Sequence, residues 1–227
     1  MPNVYDLSDP GQLLTGMREA RTALERGETV VIPTDTVYGI AANAFQPAAV
    51  ERLLADKGRT RTSPPPVLVA SVQVIDALAE QVPDAVRELF ARFAPGALTV
   101  ILPAQPSLHW DLGDTRGTVA LRIPDHPLTL ELLRDTGPLA VSSANRHGEP
   151  APATVEAAVE QLGERVGVFL DAGEVGGEPS TIIDATGLAA APPLPARIVR
   201  QGAIARADIA EVLGELLEPD PASGATE

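Results

Sequence analysis

The sequence predicts an α/β protein in which a twisted, mixed β-sheet is flanked by helices. Helix-like and strand-like hydrophobic periodicities alternate along almost all of its 227 residues, a pattern typical of α/β proteins. The strand-like runs crowd together in the second half with few helices between them, which favours a mixed sheet over an all-parallel one. Apolar residues make up 44% of the chain and aromatic residues only 3%, so the core must be built mainly from Val, Leu, Ile and Ala.

The first half of the chain predicts three helices and two strands. Apolar residues recur at helical spacing in each helix, near residues 13–24, 47–54 and 86–93. Pro47 opens the second helix, because proline is tolerated in a first helical turn. Two short apolar runs, Thr29–Pro33 and Pro66–Ala70, predict buried strands.

The second half predicts six strands and three further helices. The strands are the apolar runs Ala97–Leu102, Thr118–Ile123, Pro138–Ser142, Val166–Asp171, Ser180–Ala185 and Ala196–Arg200. The helices are expected near Leu128–Asp135, Thr154–Leu162 and Arg206–Leu216. Since no Gly/Ser-rich linker and no internal repeat divides the chain, we expect one domain over residues 1–217, followed by a disordered tail at 218–227.

Composition and charge restrict the possible functions. The net charge of −14 argues against a protein that coats nucleic acid, although the acidity could serve solubility alone. The absence of cysteine excludes disulfides, thiolate catalysis and cysteine-ligated zinc. No apolar run approaches the roughly 18 residues of a membrane span, and the N-terminus lacks the features of a secretory signal. We therefore expect a cytoplasmic protein with no membrane partner.

Several common catalytic motifs are missing. The chain has one lysine, Lys57, which follows Asp56, so the Gly-Lys pair of a P-loop is absent. No G-x-G-x-x-G follows a strand, and no G-x-S-x-G is present. The three histidines show no i, i+4 pair suited to a metal ion, and His126 in "PDHP" is more typical of a turn than of a catalytic base.

Two polar clusters lie in the first half of the chain. "PTDTVYG" follows a predicted strand and offers the hydroxyls of Thr34 and Thr36, either to a ligand or to the turn's own backbone. The second cluster, "KGRTR", places Lys57, Arg59 and Arg61 within five residues. Three neighbouring cations repel one another unless they share an anion such as a polyphosphate, and the alternative is a solvated basic loop. Where only charge matters an arginine would serve, so the lone lysine hints at a need for a point charge.

Two further clusters lie in the second half. "AVSSANRHGEPAP" presents Ser142, Ser143 and Asn145 in a loop whose polar groups could hold phosphate or ribose oxygens, or could cap the loop itself. Arg122 and Arg200 stand within or at the end of apolar strands, where a guanidinium requires an anion or an internal salt bridge. Taken together, the four clusters predict a concave site built from strand ends.

At this point the sequence resembles a known family. In order along the chain, the matching blocks are "VVIPTDTVYGIAANA", "KGR" with "PVLVAS", "FAPGALTVIL", "TVALRIPDHP", "PLAVSSANRHGEPAPAT", "STIIDATG" and "RIVRQGAI". These blocks resemble the YrdC/Sua5 family of L-threonylcarbamoyl-AMP synthases, in its short, single-domain type. The resemblance implies a twisted α/β sheet with a large, concave, basic cleft.

The resemblance also implies a reaction and its partners. L-threonine and bicarbonate or CO2 form a carbamate, which attacks the α-phosphorus of ATP to give threonylcarbamoyl-AMP and pyrophosphate. A downstream transferase complex then moves the threonylcarbamoyl group onto tRNA to form t6A, so this chain would meet tRNA only indirectly. Mg2+ is expected with ATP, and no protein side chain is predicted as a metal ligand.

The family pattern assigns roles to individual residues. Lys57 and Arg59 are the implied catalytic residues. The implied ATP-binding residues are Lys57, Arg59, Arg61, Ser63, Thr118, Ser142, Ser143, Asn145 and Arg200. The implied L-threonine-binding residues are Thr34, Thr36, Arg122 and Thr181.

Two positions depart from the family pattern. Ser63 stands where many members have a second lysine, so Arg61 would bind more of the triphosphate. Leu68 stands where some members have a histidine, so the threonine pocket would be drier.

Two rival functions stay open. One rival is a non-catalytic RNA-binding module, which the charge of −14 opposes. The other is a carbamoyl-transferring relative that acts on another acceptor, whose accompanying cysteine-rich zinc motifs are absent here.

Overall fold

The computed structural model of the protein describes residues 2–220. The tail predicted at 218–227 therefore lies outside the described residues from position 221 onward. Its first residue, Glu218, donates its backbone N–H to the carbonyl oxygen of Ala196 at 2.8 Å.

Within the described residues, ten strands form one mixed sheet. They are β1 Asn3–Asp6, β2 Val30–Ile32, β3 Gly39–Asn43, β4 Val67–Leu68, β5 Leu98–Pro103, β6 Thr118–Arg122, β7 Leu139–Ser143, β8 Val168–Asp171, β9 Thr181–Asp184 and β10 Arg197–Arg200. Their order across the sheet is β1-β8-β2-β3-β7-β4-β6-β5-β9-β10. The sheet contains parallel pairs such as β4–β6 and β5–β9 as well as antiparallel pairs such as β3–β7 and β5–β6, which confirms the predicted mixed sheet.

Seven α-helices pack against this sheet in the described part of the chain. They are α1 Pro10–Glu25, α2 Pro47–Lys57, α3 Val72–Leu78, α4 Asp84–Phe93, α5 Pro127–Thr136, α6 Val155–Leu162 and α7 Arg206–Leu213. Local sequence explains several of their ends. The Asp9 side chain caps α1 by accepting the Gly11 N–H, and α2 ends at Gly58, whose φ of 68° favours glycine.

The buried apolar side chains form three clusters. The largest joins α3, α4 and α7 to β5, β6 and β9. A second packs α1 and α5 against β2 and β8, and a third packs α2 and α6 around Tyr38 and Phe169. The core is aliphatic, as the composition predicts.

Two strands and one helix were not predicted from the sequence. β1 is a short edge strand of mixed polarity, and α3 has only seven residues. β3 consists largely of glycine and alanine, which have low strand propensity, but it is buried between β2 and β7. A Cβ at Gly39 would lie 2.6 Å from Cγ1 of Val141, so the small residue lets the neighbouring strand approach.

We expect Gly202→Ala to destabilise the protein by about 1–3 kcal/mol, because overpacking a tight site forces the backbone apart. A Cβ at Gly202 would overlap the carbonyl oxygen of Pro179 and lie 2.5 Å from the carbonyl carbon of Ser180. Gly167→Ala is the matched control, since nothing lies within 4 Å of its Cβ position. Urea denaturation measures both variants, and equal stabilities would contradict the prediction.

Candidate functional site

A cavity of about 410 Å³ lies on one face of the sheet, over strands β3 to β10. Side chains from alternate strand positions line it: Thr118, Ala120 and Arg122 of β6, Thr99 and Ile101 of β5, and Ile182 of β9. Because successive side chains of a strand point to opposite faces, the residues between them are largely in the core. The predicted concave site therefore exists, but a sheet face forms much of it rather than strand ends alone.

Arg122 is buried in the cavity wall, with its side chain 8% exposed. Its three nitrogens each donate a hydrogen bond: NH2 to Asp35 Oδ1 at 2.6 Å, NH1 to Thr36 Oγ1 at 2.9 Å and Nε to the Gly96 carbonyl at 3.0 Å. A guanidinium has five N–H groups, so one on each terminal nitrogen stays available to a ligand. Burial lowers the pKa of Arg122, while Asp35 opposes that shift.

Arg59 and Arg200 also line the cavity, and both use neutral partners. Arg59 NH1 donates to Ser142 Oγ at 3.0 Å, whereas its buried Nε has no hydrogen-bond partner among residues 2–220. Arg200 NH2 donates to the carbonyl oxygen of Ser180 at 2.7 Å and to its Oγ at 3.0 Å. Burial lowers the pKa of both guanidiniums, and for Arg200 the charges of Arg122 and Arg59 add to the shift. Such an arrangement favours the binding of anions.

A bulge in the last strand places Arg200 on the cavity face. The pairing of β10 with β9 shifts between Ile198 and Arg200, so that Arg200 lies opposite Ile182. Ile182 lines the cavity. A regular ladder would place Val199 opposite Ile182 instead, and would turn Arg200 to the other face.

Thr34 and Thr36 both line the cavity beside Arg122. The hydroxyl of Thr34 donates to the Val37 carbonyl at 2.7 Å and accepts the Thr36 N–H at 3.1 Å. The Thr34 hydroxyl thus forms hydrogen bonds with the turn's own backbone, which is one of the two alternatives that the sequence left open. Thr36 Oγ1 accepts from Arg122 and lies 3.0 Å from Thr34 Oγ1. Because the Thr34 hydroxyl hydrogen goes to Val37, the Thr36 hydroxyl donates this bond and keeps one lone pair for a ligand.

Ser142, Ser143 and Asn145 line the opposite side of the cavity. The Asn145 amide donates to the carbonyl oxygens of Arg146 at 2.8 Å and Glu149 at 2.7 Å. Its side chain therefore holds the loop that follows β7 in a fixed shape. Ser142 and Ser143 are the last two residues of β7, and the Ser142 hydroxyl accepts from Arg59 NH1 at 3.0 Å.

Lys57 lies behind this loop and not in the cavity lining. Its side chain is almost fully buried, and its ammonium group donates to the carbonyl oxygen of Ser143, to that of Asn145 at 2.7 Å and to Asn145 Oδ1 at 3.3 Å. Burial, together with the charge of Arg59, lowers its pKa to about 7. The sequence interpretation placed Lys57 against phosphate. In the structure its ammonium group binds two backbone carbonyl oxygens and the side-chain oxygen of Asn145, because α2 ends at Lys57 and directs the side chain inward. Its role toward phosphate stays a prediction.

Arg61 and Ser63 also lie outside the lining. Arg61 forms a bidentate pair with Asp111, at 2.8 and 2.9 Å, and its Nε is 3.5 Å from Asp114. The third cation of "KGRTR" thus pairs with carboxylates on an exposed surface. Ser63 donates its backbone N–H to Thr60 in the same loop, and the prolines that follow it, Pro64–Pro66, line the cavity instead.

Thr181 is a structural residue in this fold. Its hydroxyl donates to the Ile204 carbonyl at 2.7 Å and accepts the N–H groups of Gly202 at 3.0 Å and Ile204 at 3.1 Å. It is fully buried and absent from the lining, whereas its neighbour Ser180 lines the cavity. The two residues differ because adjacent strand positions face opposite ways, and the threonine-binding role of Thr181 stays a prediction. Thr118 does line the cavity, and its hydroxyl donates to the Thr115 carbonyl at 2.8 Å.

Sequence reasoning missed several lining residues. Ser180 lies next to Thr181, the first residue of β9, and its hydroxyl is 2.9 Å from Thr99 Oγ1. Strand alternation could have identified it, since Ser180 and Ile182 face the same side of the sheet. Among residues 2–220, Glu149 on the Gly/Pro loop is the one carboxylate in the lining. Leu68, at the position where some family members have histidine, contributes an apolar wall.

The described residues contain no group of three or more His, Cys, Asp or Glu side chains placed to hold a metal ion. His126 caps α5, where its Nδ1 accepts the Thr129 N–H at 3.4 Å, and burial lowers its pKa. It is thus a helix-cap residue, in keeping with its predicted turn. Between residues 2 and 220, no helix has the length and apolarity that crossing a membrane requires.

Comparison with known proteins points to one family. The Sua5/YciO/YrdC family model, described as telomere recombination, matches residues 22–202. A Mycobacterium leprae protein, named provisionally as a threonylcarbamoyl-AMP synthase, is 51% identical over 215 residues, which cover 94% of this chain and 95% of that protein. The threonylcarbamoyl-AMP synthase of Bacillus subtilis is 38% identical over 201 residues, covering 87% of this chain and 56% of that protein.

A solved structure supports the same relationship. Pyrococcus abyssi Sua5, in a crystal structure with L-threonine, superposes with a TM-score of 0.82 at 31% identity. The superposition covers 93% of this chain and 61% of the Pyrococcus chain. This chain therefore spans nearly the whole mycobacterial relative but less than two thirds of the Bacillus and Pyrococcus proteins.

Proposed function

The chain belongs to the Sua5/YciO/YrdC family, and from this premise we propose that it synthesises L-threonylcarbamoyl-AMP and pyrophosphate from L-threonine, bicarbonate or CO2, and ATP. The reaction is the first step of t6A formation on tRNA. A downstream transferase complex would take the product to tRNA, so tRNA would not enter this cavity. We also propose a cytoplasmic location, where ATP and tRNA are found.

The observation that carries this proposal is the set of three guanidiniums in one cavity. Arg59 and Arg200 have lowered pKa values and neutral partners, and the Arg59 Nε is buried without a partner among the described residues. Phosphate oxygens are the acceptors that arginine forks bind best. We therefore place the triphosphate of ATP against Arg59 and Arg200, beside Ser142 and Ser143.

Arg122 would hold the carboxylate of L-threonine. It keeps two unused N–H groups on its terminal nitrogens, a geometry that suits a bidentate carboxylate. Thr34 and Thr36 line the cavity next to it, and Thr36 Oγ1 has one lone pair that could accept from the amino group of the amino acid. In this proposal the two substrates would lie side by side on one sheet face.

The chemistry then requires positioning more than covalent help. A carbamate oxygen attacks the α-phosphorus in line with the bridging oxygen, and pyrophosphate leaves with the electron pair of the broken P–O bond. Arg59 and Arg200 would neutralise the charge that gathers on the leaving group. Lys57, outside the cavity lining, would contribute indirectly by holding the Ser143–Asn145 backbone in place.

Mg2+ usually binds through substrate phosphates, several waters and one or two carboxylates. The lining, with the single carboxylate of Glu149 among the described residues, fits an ion that enters with ATP rather than a preformed protein site. Bound there, Mg2+ would supply charge neutralisation to the triphosphate.

Incubation with ATP, L-threonine and bicarbonate is expected to release pyrophosphate, and omission of L-threonine is expected to stop it. Mass spectrometry of the complete mixture should detect threonylcarbamoyl-AMP. Threonine-independent pyrophosphate release, or a different adenylate, would contradict the proposal. Tight RNA binding at moderate salt without ATP consumption would favour the rival RNA-binding function.

A further inference from the structure

The three cavity arginines differ in their counterions. Arg122 lies 2.6 Å from Asp35 Oδ1 in a buried ion pair. Within residues 2–220, Arg59 and Arg200 have no carboxylate within 4.0 Å and bond serine oxygens instead. Among these residues, the cavity lining thus contains two guanidiniums without a carboxylate partner within 4.0 Å, one guanidinium that Asp35 neutralises, and the separate carboxylate of Glu149.

Asp35 is fixed in this arrangement by the backbone. Its Oδ1 also accepts the Asp125 N–H at 3.0 Å, and its side chain is 16% exposed. Its chain neighbours Thr34 and Thr36 line the cavity whereas Asp35 does not, so the carboxylate acts on the subsite through Arg122 and not from the lining. An ion pair held in this way has a net charge of zero but keeps separated positive and negative ends.

The two substrates differ in net charge, and so do the two parts of the cavity. L-threonine is a zwitterion with no net charge, whereas the triphosphate is a polyanion. A neutral ion pair gives a polyanion little advantage, since attraction by Arg122 is offset by repulsion from Asp35. The unused N–H groups of Arg122 can still bond the carboxylate of a zwitterion. Unpaired guanidiniums favour the polyanion.

We infer that Asp35 is a specificity-determining residue that reserves the Arg122 subsite for a zwitterionic amino acid and directs polyphosphate to Arg59 and Arg200. The residue acts through Arg122, as a positioning group, by setting the local charge. This inference rests on the proposed function, because it presumes that both substrates share the cavity. It explains why one of three cavity arginines is neutralised when anion binding alone would favour three free cations.

The test is competition between L-threonine and tripolyphosphate, measured by isothermal titration calorimetry without turnover. Asp35→Asn removes the charge but keeps an oxygen to accept from Arg122 and from the Asp125 N–H. In the wild-type protein, saturating tripolyphosphate should change the L-threonine affinity by less than about threefold. In Asp35→Asn it should weaken that affinity by about tenfold or more, because a third unpaired guanidinium now attracts the polyanion.

Asp184→Asn is the matched control, since Asp184 pairs with Arg197 outside the cavity lining. It should keep the wild-type behaviour. Equal competition in Asp35→Asn and the wild type would overturn the inference. If Asp35→Asn fails to fold, the wild-type titration still decides, because displacement of L-threonine by tripolyphosphate, or no L-threonine binding, would refute a reserved subsite. Loss of threonine-dependent pyrophosphate release in the wild type would instead refute the proposed function.

Discussion

Arg122→Leu is expected to raise the KM for L-threonine about 10–150-fold while leaving the KM for ATP much less changed. A hydrogen bond to a charged group contributes about 1.5–3 kcal/mol, which corresponds to that range of affinity. The variant should also lose about 1–3 kcal/mol of unfolding free energy, because the part-buried Asp35 carboxylate loses its charged partner but keeps the Asp125 N–H. Steady-state kinetics and urea denaturation measure the two effects.

A double variant separates binding from stability. Arg122→Leu with Asp35→Leu replaces the whole pair by apolar side chains, and such replacements are often neutral or stabilising. We expect it to recover most of the lost stability without recovering L-threonine affinity. Arg197→Leu is the surface control: it breaks an Arg–Asp pair whose arginine is 61% exposed, and should cost at most about 1 kcal/mol. Full activity in the double variant would remove Arg122 from substrate binding.

Lys57→Met is expected to lower kcat/KM at least about tenfold, the equivalent of roughly 1.4 kcal/mol. The variant keeps an unbranched, apolar stem but leaves the carbonyl oxygens of Ser143 and Asn145 without their donor in a buried place. Unsatisfied buried acceptors cost about 1–3 kcal/mol each, so the 143–145 loop should shift and stability should fall. Kinetics with ATP and L-threonine varied separately, together with urea denaturation, test this prediction.

Arg165→Met provides a matched control for Lys57. Arg165 NH1 also donates to backbone carbonyls, those of Ala55 at 3.2 Å and Asp56 at 2.7 Å, but from an exposed position. Water can replace it there, so activity and stability should stay close to wild type. A Lys57→Met protein with wild-type kinetics would show that the tether has no part in catalysis.

Much of the fold was predictable because its causes are local. Helical periodicity, Pro47 at the start of α2 and the apolar strand runs act within a few residues, and the structure places helices and strands there. β3 escaped prediction because its strand conformation comes from burial between β2 and β7 and not from its Gly and Ala residues.

The sequence by itself identified the polar clusters, and nine of the thirteen predicted site residues line one cavity. Only the tertiary structure decided which way the other side chains point. Lys57 finds its partners 86 and 88 residues away, and Arg61 pairs with Asp111, 50 residues along the chain. Ser180 lines the cavity while its neighbour Thr181 is buried outside the lining, and a bulge turns Arg200 into the cavity. A local pattern specifies residue type and backbone state, whereas the partner of a charge depends on which distant strands and loops the fold brings beside it.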